Sequence, residues 1–320
     1  MKQYPSLPLK PLPRPPRWTS ALGVGFLVAG LAIGTGELII WPRLTVQYGP
    51  SILWFALIGI TFQYFINQEV ARHTIATGES FFTTSARLWK GFVFIWLAGI
   101  LLLYIWPGWA TALGTIATEL TGVGNYKTWS WLCLAAVLVL TFIGKSAYRM
   151  LEQSLKIVIP SFFILLLTVT FQNISSETFR TIGQAFTTFQ LPHDIDTATL
   201  LSAVVFAGTG GMLNLAVSLW YRDKKSGMGY YAMQINNPIT GRAEMRNTIG
   251  ATFRPTQEHL HHWRGWMRYV RADQGIIFWL VGTITLLLLS LNAYAVLAPR
   301  GIIPSGLTIA TEQAAIFGEQ

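Results

Sequence analysis

Long runs of apolar residues, separated by short polar segments, recur along most of this chain. Several of these runs reach the roughly 20 residues that a helix needs to cross a lipid bilayer. We therefore predict about seven membrane-spanning helices, at residues 20–42, 50–71, 91–115, 129–144, 155–172, 199–220 and 275–298. The pattern predicts an all-α polytopic membrane protein, that is, a multi-pass integral membrane protein.

Two of the predicted spans contain glycine clusters near their centres. The first carries AIGTGE at residues 32–37 and the sixth carries FAGTGGM at residues 206–212. Each glycine costs about 1 kcal/mol of helix stability relative to alanine. Because the first and sixth spans run in opposite directions, the paired interruptions indicate a secondary-transporter binding site between two inverted halves. The alternative is that the glycines only allow close helix packing.

The charge distribution excludes a soluble enzyme and a nucleic-acid-binding protein. Charged residues make up 12% of the chain, against roughly 25% in an average soluble domain. The net charge of +9 is concentrated on one predicted side of the membrane. With a cytoplasmic N-terminus, every Lys and Arg falls inside except Arg43, Lys127, Arg180 and Arg300. By the positive-inside rule, segment 221–273 is then cytoplasmic and loop 173–198 is outside.

The N-terminal tail, residues 1–18, includes the proline-rich stretch YPSLPLKPLPRPPRW. Such a composition favours an extended polyproline conformation without a packed core. We therefore predict a disordered, solvated cytoplasmic tail. Recognition of its proline pattern by a partner domain stays open as the alternative.

The cytoplasmic segment 221–273 ends in EHLHHWRGWMRYVRAD, at residues 258–273. Its basic and aromatic residues predict an amphipathic helix that lies on the anionic inner leaflet before the last span. A metal site is the alternative, since Glu258 and His262 are one helical turn apart beside His259 and His261.

Four stretches of this sequence resemble the Nramp divalent-metal transporters. They are GVGFLVAGLAIGTGE (23–37), QYGPSILWFALIGITFQYFINQEVARHTIATGES (47–80), YRMLEQSLKIVIPSF (148–162) and SAVVFAGTGGMLNLAVSL (202–219). The resemblance implies a leucine-transporter-like inverted-repeat fold of five plus five helices. It makes residues 19–172 the first five-helix repeat, 173–198 an outer loop, and 199–320 the start of the second repeat. Since only about seven of ten spans are visible, we expect a truncated chain that does not transport by itself.

The resemblance also assigns the candidate substrate-binding residues. Matching without gaps places Gly34, Thr35, Gly36 and Glu37 on the family's metal-binding Asp-Pro-Gly-Asn motif in the first span. In the sixth span, Gly208 stands at the family's carbonyl ligand, Thr209 follows it, and Gly211 and Met212 begin the Met-Pro-His motif. Glu37 is thus the one carboxylate ligand expected here, and it replaces an asparagine. A carboxylate with carbonyls and hydroxyls suits a harder cation than manganese or iron.

These observations predict a secondary-active transporter that moves a metal ion or another small cation, and the resemblance implies proton coupling. We expect no enzymatic activity and no cofactor, with a divalent metal only as substrate, and the bilayer and a small cation as partners. Two alternatives stay open: a non-transporting Nramp-like sensor, and a transporter of a small organic amine or amino acid. Glu37 itself has an alternative role, which is to cap the free amides of the broken helix.

Overall fold

The computed structural model describes residues 5–17, 23–34, 36–105, 108–143, 147–187, 189–192, 194–232 and 249–303. Within these ranges the regular structure is helical, as predicted. Three helices are long and apolar enough to cross a membrane, and a bent pair near the N-terminus makes a fourth when it is counted as one span. The protein is therefore an all-helical integral membrane protein.

The first half of the chain forms helices α1 to α8. Their bounds are α1 Val24–Ala32, α2 Trp41–Tyr48, α3 Leu53–Thr77, α4 Phe81–Leu88, α5 Phe92–Tyr104, α6 Gly108–Thr121, α7 Tyr126–Ile143 and α8 Ala147–Asn173. A π-helical turn, Gly36–Ile40, precedes α2, and a 3₁₀ turn, Pro50–Ile52, precedes α3.

The second half forms helices α9 to α13. Their bounds are α9 Ser176–Ala185, α10 Thr197–Val205, α11 Met212–Asp223, α12 Gln257–Ala272 and α13 Gly282–Leu297. A π-helical segment, Asp273–Val281, joins α12 to α13, so that one continuous helix runs from Gln257 to Arg300. Two 3₁₀ turns, Gly227–Tyr231 and Ala298–Arg300, complete the described elements.

The predicted third span, residues 91–115, is divided into α5 and α6. The sequence places Trp106-Pro107 between them. A proline inside a helix removes a backbone hydrogen bond and disfavours helical conformation in the residue before it. Hydropathy alone could not show this division, because the run is apolar on both sides of the proline.

Two clusters of buried side chains hold the helices together. One joins α1, α3, α11 and α12 around Val28, Ile75, Tyr221, Tyr269 and Phe278. The other joins α2, α3, α10 and α13 around Trp41, Leu53, Ala203 and Leu286. By contrast, α5, α7 and α8 leave large apolar side chains exposed, such as Leu97, Leu138 and Ile164. These exposed faces suit contact with lipid.

Over residues 5–17 the proline-rich tail is extended, but the prediction that it is disordered is wrong for these residues. We call residues 5–17 the strap. Its backbone pairs with Thr252, whose N–H donates to the Pro8 carbonyl and whose carbonyl accepts from the Lys10 N–H (2.9 and 2.8 Å). The side chain of Leu12 is buried in the core cluster around Tyr269. Tertiary contacts therefore order a segment whose composition suggested a solvated coil.

The basic segment is helical over α12, as predicted, but part of its apolar side packs against the rest of the protein. His262, Trp266, Tyr269 and Val270 are buried inside the protein.

Candidate functional site

The first helix breaks at the glycine cluster, as predicted. α1 ends at Ala32, and the Gly34 N–H turns back to the Ala32 carbonyl (2.6 Å). The Gly34 carbonyl accepts from the Leu38 N–H at 2.9 Å, and a π-helical turn begins at Gly36. The candidate Thr35 lies outside the described residues. Gly34 therefore bonds to both half-helices, through its N–H to the end of α1 and through its carbonyl to the π-helical turn.

The sixth predicted span breaks at the second glycine cluster, also as predicted. α10 ends at Val205 and α11 begins at Met212. Between them, Gly210 and Gly211 have φ angles of 70° and 50°. Residues other than glycine rarely adopt such positive φ angles. These two glycines therefore permit the change of backbone direction that separates the half-helices.

The two breaks meet at Gly36. A Cβ atom at this position would lie 1.8 Å from the carbonyl oxygen of Phe206, the first residue after α10. Only glycine leaves room for the backbone of the second break to approach so closely. The paired interruptions that the sequence indicated are therefore in contact.

Glu37 is fully buried, and neither carboxylate oxygen has a hydrogen-bond partner among the described residues. Its side chain points to α13, since a Cβ on Gly282 would lie 4.0 Å from Oε1 of Glu37 and 3.2 Å from Ile60. A buried carboxylate without partners is unfavourable unless a proton or a cation neutralises it. The capping role requires hydrogen bonds from backbone amides, and the described part of the chain supplies none.

Further polar atoms that have no hydrogen-bond partner within the described ranges lie along the same pair of elements. Trp41 Nε1 follows Glu37 by one helical turn, and Thr285 Oγ1 follows Gly282 by about one turn on α13. Both side chains are fully buried. The two elements that carry these groups, α2 and α13, pack against each other.

Gln63 organises the second break, and the sequence analysis did not identify it. Its Nε2 donates to the Val205 carbonyl at the end of α10 (2.9 Å). Its Oε1 accepts from the Gly210 N–H (3.1 Å). One side-chain amide from α3 therefore satisfies the free backbone groups on both sides of the gap. A glutamine in the middle of an apolar span was the signal that could have found it.

The other candidate residues of the second break, Gly208, Thr209 and Gly211, have different surroundings. Gly208 packs against Gln63 and Phe278, and the Thr209 hydroxyl donates to the buried Asn214 side chain. Gly211 is exposed.

Met212 contacts a different helix from Glu37. A Cβ on Gly99 of α5 would lie 2.5 Å from the Met212 sulfur, whereas Glu37 faces α13. The structure thus brings Gly36 and Glu37 close to the second break but gives the carboxylate and the sulfur different partners.

The alternative metal site on α12 is not formed. Among the described residues, no group of three or more His, Cys, Asp and Glu side chains is placed to hold a metal ion. His259 and His262 instead contact the backbone carbonyls of Arg254 and Leu12. Elsewhere, Glu69 and Arg72 form an ion pair on the exposed face of α3.

No protein-family model, no curated protein and no solved structure matches this chain. The Nramp resemblance therefore stays an inference from the sequence stretches that carry it.

Proposed function

We propose that this protein is a secondary-active membrane transporter of the Nramp-like type, which moves a metal ion or another small cation with Glu37 as the charged group of its site. The observation that carries the proposal is the burial of Glu37 without a hydrogen-bond partner in the described part of the chain. An ionisable group inside a membrane-spanning helix is costly and is by default functional. A cation or a coupled proton supplies the missing charge.

The contact of the two breaks supports the same proposal. Discontinuous helices in transporters place free backbone groups and half-helix ends beside the substrate. Here Gly36 touches the Phe206 carbonyl, and Glu37 is the next residue in the chain. Close packing by small residues explains the glycines, but it does not explain a buried carboxylate between them.

The positive-inside distribution supports a cytoplasmic strap. On this reading, the strap, α12 and the start of α1 form the inner side of the protein. The ten-helix inverted repeat belongs to the same proposal, since the resemblance supports it through both broken spans.

The decisive test compares Glu37→Gln with Glu69→Gln, because Gln keeps the size of the side chain and removes its charge. Manganese, magnesium, sodium and a panel of amino acids are offered to the protein in liposomes, and thermal stabilisation by each is measured in detergent. We expect one cation to stabilise the wild type and the Glu69→Gln control but not Glu37→Gln. Uptake in the same order would support transport and would contradict the expectation that this chain does not transport by itself.

A well-folded Glu37→Gln protein with unchanged cation stabilisation would contradict the proposal. Cation stabilisation without uptake, together with copurification of a soluble partner on segment 221–273, would favour the sensor alternative instead. Stabilisation by an amino acid alone would favour an organic substrate.

A further inference from the structure

The strap presents consecutive backbone carbonyls to a row of side-chain donors. The pairs are Pro11 with the Tyr231 hydroxyl (2.8 Å), Leu12 with Nδ1 of His262 (3.1 Å) and Pro13 with Nε1 of Trp266 (2.9 Å). A carbonyl can only accept, so the ring nitrogen of His262 carries the hydrogen. Two of the three donors lie one turn apart on α12. The strap therefore follows this helix through its backbone.

Apolar contacts complete the binding surface. Leu12 is 2% exposed and belongs to the core cluster with Val70 and Tyr269. Three residues further on, Pro15 rests on Gly265, where a Cβ would lie 2.4 Å from its Cγ. The glycine on α12 thus makes the space that the proline ring fills.

This pattern is how proteins recognise polyproline segments. Proline lacks a backbone N–H and holds the chain extended, so recognition uses its carbonyls and rings, and little conformational entropy is lost on binding. The strap has prolines at positions 5, 8, 11, 13, 15 and 16. Aromatic donors from α12 and from the turn Gly227–Tyr231 meet the carbonyls in its centre.

The net charges of the strap and of α12 do not explain the docking. The strap carries Lys10, Arg14 and Arg17, and α12 carries Arg264, Arg268 and Arg271. The two partners therefore have the same sign of excess charge. Salt screens such repulsion. Hydrogen bonds and apolar burial hold the strap, helped by Lys10 over the Tyr231 ring (4.6 Å) and by Arg87, which donates to the Pro5 carbonyl (2.6 Å).

The surface that holds the strap also holds the start of α1. α12 continues without interruption into the π-helical segment, whose first residue is the fully buried Asp273. The Asp273 carboxylate accepts from the N–H groups of Gly23 and Gly25 (3.0 and 2.9 Å). It thereby satisfies two of the free amides at the beginning of α1. The strap and the first turn of α1 thus bind the same helix at neighbouring levels.

We propose that α12, together with Tyr231 and Thr252, is a polyproline-binding surface whose occupant is the chain's own strap, and that the docked strap is a latch on the first turn of α1. When the strap undocks, α12 loses its contacts with the strap. The hydrogen bonds from Gly23 and Gly25 to Asp273, at the end of the same helix, then break more often. The proposal goes beyond the transport function, since it does not depend on the substrate.

Hydrogen–deuterium exchange of the full chain in lipid nanodiscs tests the latch. Leu12→Asp places a charge in the core cluster and should release the strap. Leu9→Asp is the matched control, because Leu9 lies on the same strap and is 54% exposed. In Leu12→Asp we expect exchange to accelerate at least about tenfold at Lys10, whose N–H is bonded to Thr252, and also at Gly23 and Gly25. In Leu9→Asp, the exchange rates at Lys10, Gly23 and Gly25 should stay at their wild-type values.

Acceleration confined to the strap would overturn the latch, because the strap would then be docked without any effect on α1. An unchanged rate at Lys10 in a folded Leu12→Asp protein would overturn the binding surface itself. Asp273→Asn gives the reference for a lost cap, since it acts on Gly23 and Gly25 directly.

If Leu12→Asp does not fold, Trp266→Phe replaces it, because this change removes one donor and keeps an aromatic ring. Loss of one hydrogen bond should accelerate exchange at Lys10 about two- to tenfold. An unchanged rate at Lys10 in a folded Trp266→Phe protein would overturn the binding surface.

Discussion

The Asp273 carboxylate caps the first turn of α1 by accepting a hydrogen bond from the Gly25 N–H at 2.9 Å, although 248 positions separate the two residues in the chain. Tyr221 adds a third hydrogen bond to the same carboxylate (2.8 Å). Three donors from two elements, the start of α1 and α11, surround this one buried carboxylate, so the cap joins both elements to the α12–α13 helix.

Asp273→Asn should destabilise the protein by about 1.5–3 kcal/mol, the range for hydrogen bonds to a charged group. The amide keeps one acceptor but turns a donor toward the backbone N–H groups. The thermal midpoint of the detergent-solubilised protein measures the loss. Glu69→Gln is the control, because an exposed ion pair contributes about 1 kcal/mol or less. Equal midpoints for the two variants would contradict the cap.

Gln63→Leu should destabilise the second break, because it leaves the Val205 carbonyl and the Gly210 N–H without their partner. The expected cost is about 1–3 kcal/mol. Gln68→Leu on the same helix is the matched control and should cost less. A thermal midpoint that falls equally in both variants would show that Gln63 does not bridge the half-helices.

Gly36→Ala tests the contact between the two breaks. The new Cβ would meet the Phe206 carbonyl at 1.8 Å, so the backbone must move, at a cost of about 1–3 kcal/mol or more. Gly183→Ala on α9 is the control, since its Cβ would have no neighbour within 4 Å. There the helix propensity of alanine should stabilise by up to about 1 kcal/mol. A neutral Gly36→Ala would show that the breaks are not in contact.

Asp196 should make the start of α10 sensitive to acid. Its carboxylate caps the helix, and the hydrogen bond from the Thr199 backbone N–H lowers the pKa of this carboxyl. Because the folded-state pKa is the lower one, the cap contributes fully above the ordinary Asp pKa of about 3.9 and is lost as the pH falls through the folded value. The midpoint difference between wild type and Asp196→Ala should therefore shrink in acid. Asp194→Ala is the control, and a difference that does not change with pH would contradict the cap.

The sequence by itself was enough to predict an all-helical membrane protein and the positions of both helix breaks. These features depend on local properties, namely the apolar content of a segment and the poor helix propensity of glycine at Gly34, Gly36, Gly210 and Gly211. The pair of Glu69 with Arg72 was predictable for the same reason, because residues three positions apart on one helix lie next to each other on its surface.

Only the tertiary structure decided which groups meet across the fold. The partner of Gly25 is Asp273, the gap in the sixth predicted span is bridged by Gln63, Glu37 faces Gly282, and the proline-rich tail is ordered by α12. Hydropathy and periodicity describe one helix at a time, so they cannot show which distant donor a buried carbonyl or carboxylate finds. A proline-rich segment has no core of its own, and its order depends entirely on the surface that another part of the chain presents to it.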